Sequence, residues 1–371
     1  MKDKPNILKF LFLWPLSAMY GIGVSFRNFC YENKILKSVE YDIPIISIGN
    51  ISVGGTGKTP HTEFLIRMLK DEFSVAVLSR GYKRKTKGFR IVEETDTHFE
   101  AGDEPLQIKK KFPDTIVAVS ENRPNGVDKL REIYPDLNLI ILDDAFQHRK
   151  INPGLSILLN NYNHPIASDY LLPLGYLRET RSASHRAHIV IYSKCPPDLK
   201  PIERRILSKE IDIRPFQYLF FSTLNYKDPK PVFIDSPSIP IDKLNEHNVL
   251  AISGIAKSQS YVNFLKSKSK NFKHLKYPDH HNFKIKDFKK IEKSFKELKD
   301  KKIIIVTEKD AIRLKSYNLF SDEIKKYVYC VPIEVKLLSS EDEKKQFDNQ
   351  IFSYVRNNKR YSKLYKNSYQ G

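Results

Sequence analysis

The sequence predicts an α/β protein: a parallel β-sheet with helices on its faces, then a second, smaller α/β unit, with an apolar helix in front of both. Three observations carry this prediction. Short β-branched runs alternate with helical stretches from Pro44 to Tyr192, the pattern of strands feeding crossover helices. A second alternation begins at Val249, beyond a stretch punctuated by Pro229, Pro231, Pro237 and Pro240, which reads as a crossing between units. The 371 residues and 40% hydrophobic content suffice for two globular cores and a short appendage.

The chain opens on an uncharged run of 17 residues, Phe10 to Phe26, behind Lys2, Lys4 and Lys9. Its length is at the lower edge of a membrane span of roughly 17–25 residues. Pro15, Ser17, Gly21, Gly23 and Ser25 interrupt it, and Trp14 and Tyr20 are interface-loving residues. We read it as a helix lying in, or partly entering, the inner face of a membrane. A helix buried in the protein is the alternative. A secretory signal is disfavoured, because Gly21-Ile22-Gly23 is a poor cleavage site and a nucleotide-binding loop follows.

That loop lies within Pro44 to Pro60. Ile45, Ile46 and Ile48 favour a strand, and the glycines of Gly54-Gly55-Thr56-Gly57 let successive N–H groups converge on a phosphate. Lys58 then reaches the β- and γ-phosphates, the Thr59 hydroxyl suits Mg²⁺, and Pro60 suits a first helical turn. Phe64, Leu65, Met68 and Leu69 recur at helical spacing. The usual pattern has Gly where this chain has Ser52, but strand before and helix after favour a phosphate cradle over a chance turn.

Further strands are expected at Val75–Ser79, Ile116–Val119, Leu139–Leu142, Leu155–Leu159 and Ile189–Tyr192. Each delivers polar residues at a carboxyl end, where open α/β sheets bind ligands. Arg80 follows the first, and Arg123 closes Ser120-Glu121-Asn122-Arg123 after the second. Asp143 and Asp144 tip the third, where phosphate-loop proteins hold Mg²⁺ directly or through water. Gln147 and His148 continue that tip, and Arg178 and Glu179 lie on a later loop. Ala101-Gly102-Asp103-Glu104-Pro105 starts a helix. In the second unit, strands are expected at Val249–Ile252, Ile303–Val306 and Tyr327–Val331, with a helix near Asp287–Leu298.

The formal net charge of +19 points to an anionic partner: nucleotide, nucleic acid or membrane surface. Lys266–Lys302 holds 14 Lys against 5 Asp and Glu, either a solvated face or a surface for anionic lipid. No helix-turn-helix or RNA-binding signature accompanies it, so no nucleic-acid partner is expected, and no protein partner is inferred. Cys30, Cys195 and Cys330 have no paired spacing, which argues for a reducing compartment and against structural zinc. A guanine-reading Asn-Lys-x-Asp is absent, and Val53 stands where partitioning-type ATPases carry their signature lysine.

The motifs Ser47-Ile48-Gly49-Asn50-Ile51-Ser52-Val53-Gly54-Gly55-Thr56-Gly57-Lys58-Thr59-Pro60, Ser79-Arg80-Gly81-Tyr82, Ala101 to Pro105, Asp143-Asp144-Ala145-Phe146-Gln147-His148, Leu177-Arg178-Glu179, Asp279-His280-His281 and Thr307-Glu308-Lys309-Asp310 occur in this order. Together they resemble the tetraacyldisaccharide 4'-kinase (lipid A 4'-kinase) family, up to about Val331. Ala145 departs from the Gly that many members carry.

The resemblance implies an ATP- and Mg²⁺-dependent transfer of the γ-phosphoryl group to the 4'-hydroxyl of a tetraacylated glucosamine disaccharide 1-phosphate, at the cytoplasmic face of the bacterial inner membrane. It implies a phosphate-loop fold, with Gly54 to Thr59 on the nucleotide and Thr59, Asp143 and Asp144 on the metal. Asp103 becomes the base, assisted by His280, with His281 the alternative. Arg80, Glu104, Arg123, Gln147, His148, Arg178 and Glu179 become substrate or phosphate contacts. The expected division is a membrane-associated helix over 1–30, a kinase core over 31–225, a smaller α/β domain over 226–340 and a basic tail over 341–371. Because Asp103 and His280 fall in different domains, their pair is expected to form only on domain closure.

Overall fold

The computed structural model describes residues 7–233, 237–299 and 301–358. Among them the strands are β1 (Ile45–Gly49), β2 (Val75–Ser79), β3 (Arg90–Ile91), β4 (Ile116–Val119), β5 (Leu139–Asp143), β6 (Leu155–Asn161), β7 (Ile189–Ser193), β8 (Tyr218–Tyr226), β9 (Lys230–Pro231), β10 (Asn248–Ser253), β11 (Asn271–Lys276), β12 (Lys302–Thr307), β13 (Val328–Val331) and β14 (Ile333–Leu337). The α-helices are α1 (Ile7–Glu32), α2 (Lys58–Leu69), α3 (His98–Ala101), α4 (Asp103–Lys111), α5 (Arg123–Ile133), α6 (Pro201–Glu210), α7 (Gln259–Lys268), α8 (Ile285–Lys296), α9 (Glu308–Tyr317), α10 (Asp322–Lys325) and α11 (Glu341–Arg356).

The larger sheet runs β14-β8-β7-β6-β1-β5-β2-β4-β3. Its interior pairs are parallel, and β3 and β14 join antiparallel at the two edges. β1 is central, with Ile46 beside Ile141 on one side and Leu155 on the other. Its residues are buried on both faces, which explains a continuous apolar run in place of an alternating one. The parallel strands send their carboxyl ends to one edge of the sheet, and the sequence-predicted polar tips therefore meet there.

The smaller sheet runs β11-β10-β12-β13-β9, with β9 the antiparallel edge. Phe288, Ile291 and Phe295 turn one side of α8 into its core. The lysines of that helix lie on the remaining surface, as the amphipathic spacing requires.

The chain visits this second unit and returns. β14 pairs with β8, and α11 then packs on the larger sheet. The sequence reading placed a basic tail over 341–371; residues 341–356 instead form a helix, and 359–371 lie outside the described residues. Phe347, Ile351 and Val355, spaced four apart, are fully buried, and Phe347 meets Phe64 and Phe220 with ring centroids 5.9 and 5.0 Å away. The Tyr354 hydroxyl accepts from the Ile45 N–H at 3.0 Å, tying α11 to the start of β1.

α1 runs unbroken through Pro15. One side is fastened to the larger unit: Ser17 Oγ donates to the Leu171 carbonyl, Tyr20 to the Arg178 carbonyl and Arg27 to the Gln147 carbonyl, each at 2.9 Å. The other side presents Leu8, Leu11, Phe12, Trp14, Met19, Ile22 and Phe26 to the exterior, all more than half exposed. Among the described residues no helix is long and apolar enough to cross a membrane.

Candidate active site

The phosphate loop leaves β1 and ends at Gly57, whose φ of 89° starts α2 from a left-handed conformation open to glycine at little cost. Two anchors hold the loop from below. Ser193 Oγ donates to the Thr56 carbonyl at 2.7 Å. The His61 ring lies between the Gly57 carbonyl (2.7 Å from Nδ1) and Ser222 Oγ (2.9 Å from Nε2). Burial pushes the His61 imidazole down to about 4, so the ring is a neutral strut at neutral pH.

Lys58 Nζ stands 3.3 Å from Asn50 Oδ1 and 3.5 Å from Asp144 Oδ2. Arg178 reaches the same two groups, at 2.5 Å from Asn50 Oδ1 and 3.5 Å from Asp144 Oδ1. Lys58 and Arg178 thus bring Asp144 to the loop, and Asp143 precedes it at the end of β5. Asp143 takes a hydrogen bond from Thr62 Oγ1 at 2.9 Å, while its Oδ2 is buried without a partner among the described residues. Burial, with Glu104 and Asp144 as negative neighbours, lifts the Asp143 carboxyl to about 6. Burial acts the same way on Asp144, but Lys58, Arg178 and Arg123 outweigh it and hold that carboxyl below its ordinary value.

An orphaned carboxylate oxygen crowded by other carboxylates fits a divalent cation. Among the described residues no group of three His, Cys, Asp or Glu side chains is placed to hold a metal ion.

α4 begins at the two acidic residues Asp103 and Glu104. Gly102, at φ 91°, would put a Cβ 3.2 Å from the Gly81 backbone, so only glycine brings the start of α4 this close to the loop after β2. Asp103 is buried there. Its Oδ2 lies 3.0 Å from His280 Nδ1 and accepts from Arg313 Nε at 3.0 Å and from Arg313 Nη2. The pair with His280 thus spans the seam between the units in this structure. His281 instead sits 2.9 Å from Asp287 and stacks on Tyr277. Burial alone would raise the Asp103 carboxyl; the His280 hydrogen bond and the Lys309 and Arg313 charges prevail and hold it well below the carboxylate range.

The remaining expected contacts divide by what they touch. Glu104 pairs with Lys309 across the seam, and Gln147 donates to the Asn50 carbonyl. Arg80 is exposed just past β2. His148 is half-buried, and desolvation lowers its imidazole to about 4. Arg123 is buried, donating to the Ser120 carbonyl at 2.7 Å and the Asp143 carbonyl at 3.0 Å, so it braces the acidic tip. Glu179 is buried against Arg186 at 2.7 Å and Asn28 at 3.3 Å, and fastens α1.

Sequence reasoning gave no role to Arg313, Lys309 or Lys194. Helical spacing was the available signal for Arg313: it follows Lys309 by four residues and Asp310 by three on α9, so one helix face carries all three.

Fold and site define a phosphate-loop α/β protein with a second α/β unit closing one side of the loop. Residues 9–352 match the family model for tetraacyldisaccharide-1-P 4'-kinase (LpxK), and the chain belongs to that family. It is 44% identical to the tetraacyldisaccharide 4'-kinase of Phocaeicola vulgatus over 96% of this chain and 98% of that one. With the enzyme of Bacteroides thetaiotaomicron the identity is 43%, over 94% of each. The crystal structure of the "apo" form of LpxK from Aquifex aeolicus in complex with ATP superposes with a TM-score of 0.71 at 31% identity, covering 94% of this chain and all of that one.

Proposed function

We propose that this protein transfers the γ-phosphoryl group of ATP to the 4'-hydroxyl of a tetraacylated glucosamine disaccharide 1-phosphate, forming the 4'-phosphorylated lipid A precursor. The observation that carries the mechanism is the Asp103–His280 pair, whose contact at 3.0 Å joins the two units.

In this reading Gly54 to Lys58 cradle the triphosphate with backbone N–H groups and one ammonium. Thr59, Asp143 and Asp144 would hold Mg²⁺, which supplies charge neutralisation on the β- and γ-oxygens. Asp103 orients the sugar hydroxyl and takes its proton. A strongly depressed carboxyl is a weak base, and that suffices. In a loose phosphoryl-transfer transition state the attacking hydroxyl becomes acidic only as its bond to phosphorus forms, so positioning dominates over base strength. His280 keeps Asp103 oriented, and Arg178 and Lys58 offset charge at the acidic tip.

The division into an N-terminal helix, a phosphate-loop core and a smaller domain belongs to the same proposal, with α11 assigned to the core. The exposed apolar side of α1 supports a peripheral seat on the cytoplasmic face of the inner membrane, where the acyl chains of the acceptor are anchored. The test of regiochemistry is direct: the isolated lipid product, examined by phosphorus-coupled NMR, carries its new phosphate on the 4' oxygen. A product phosphorylated elsewhere on the disaccharide overturns the assignment.

A further inference from the structure

A second lysine leans over the phosphate loop from the end of β7. Ser193 anchors Thr56 from below, and the next residue, Lys194, adopts φ 61°, a left-handed conformation that a non-glycine residue rarely takes outside functional or tightly determined positions. That turn lays the side chain along the loop. A Cβ on Gly57 would stand 3.9 Å from Lys194 Cε, and one on Gly55 would stand 3.9 Å from Nζ.

The surroundings of this ammonium are cationic. Lys257 reaches from the smaller unit over the Tyr176 ring at 5.7 Å, and a Cβ on Gly54 would stand 3.5 Å from its Cε and 3.9 Å from its Nζ. Burial, then Lys257 and Lys309, push the Lys194 amine down to about 8. Lys309 itself is paired with Glu104. In the same turn the buried Thr56 hydroxyl has no hydrogen-bond partner among the described residues. A half-buried ammonium such as that of Lys194, laid over backbone N–H groups of the loop, is complementary to a polyanion.

We propose that Lys194 is a second phosphate-binding lysine of the nucleotide site, contacting the phosphate chain from the side of the loop opposite Lys58. The inference rests on the nucleotide reading above and adds a ligand to it. Lys257 approaches the same chain from the smaller unit, so phosphate binding draws the two units together at this point as well as at Asp103.

The test uses the full chain in detergent with ADP, tripolyphosphate and adenosine as probes. Lys194→Met weakens ADP and tripolyphosphate binding about tenfold or more, the weight of a lost charge-assisted contact, whereas Lys194→Arg retains most of it. A measurement independent of variant folding is amine acylation of the wild-type protein read by mass spectrometry: ADP and tripolyphosphate protect Lys194, and adenosine does not. Unchanged affinity in Lys194→Met, or a Lys194 acylated equally with and without ADP while Lys58 is protected, overturns the proposal and leaves the nucleotide reading standing. Failure of ADP to protect Lys58, with no measurable ADP binding, removes both.

Discussion

Arg313 and Asp103 belong to different sheets' helices, yet the arginine clasps one oxygen of the carboxylate with two nitrogens while its third holds Asp310 at 3.0 Å and the Gly254 carbonyl at 2.8 Å. It also stands 3.2 Å from His280 Nδ1. A proton on that nitrogen makes His280 a donor to Asp103; a bare nitrogen accepts from Arg313. The arginine therefore joins the two units and competes for the histidine.

Arg313→Met leaves Asp103 and Asp310 buried without their shared cation, an imbalance worth about 3–5 kcal/mol in comparable pairs. Urea unfolding should show a loss on that scale, and the acid limb of kcat/KM should move to higher pH as Asp103 regains basicity. Arg313→Lys should recover part of both. A variant with wild-type midpoint and pH profile would mean the clasp is incidental.

Asp103 and Lys58 separate chemistry from binding. Asp103→Asn keeps the shape of the site and removes the proton acceptor, so turnover should fall by about a hundredfold or more with ADP affinity nearly unchanged. Lys58→Ala should lower both. Equal losses of nucleotide affinity in the two variants contradict the role given to Asp103.

His61 makes stability depend on pH. Its folded-state value of about 4 lies below the ordinary value near 6.5, so its contribution is complete above about pH 6.5 and is lost as pH falls toward 4, about 3 kcal/mol in all. His98 and His148, also lowered to about 4, act in the same direction. Glu63, raised by burial to about 7, opposes them in part of this window. His61→Asn isolates the histidine term: its melting temperature should decline less steeply than the wild type's between pH 6.5 and 4.5. Parallel declines would show that His61 is not the neutral strut described.

Trp14, the single tryptophan, is 55% exposed on the apolar side of α1. Added vesicles of anionic phospholipid should shift its emission to the blue as the indole enters the interface. Trp14→Phe serves as the blank, and an unshifted spectrum at saturating lipid removes α1 as the membrane contact.

Much of this was legible in the sequence because parallel strands buried on both faces must read as apolar runs, and β1, β2, β4, β5, β6 and β7 do. The polar tips were legible for the same reason, since a parallel sheet gathers its carboxyl ends. What escaped was non-local. β14 pairs with β8 more than a hundred residues away in the chain, a partnership no local window contains. α11 was masked by its charges, although Ser340 and Glu343 form a capping box and Phe347, Ile351 and Val355 keep helical spacing. Arg313 looked like one cation among many until the second unit brought it to Asp103. Arg123 and Glu179 show the converse: their positions near the site were expected, and burial reveals that they brace backbone and α1.

The most direct measurement of the central claim follows the γ-phosphate itself. Purified full-length protein in detergent, given γ-labelled ATP and the tetraacyldisaccharide 1-phosphate, should place label on the lipid in an Asp103-dependent manner. Label appearing only as free phosphate, equally with and without the lipid, would contradict the account.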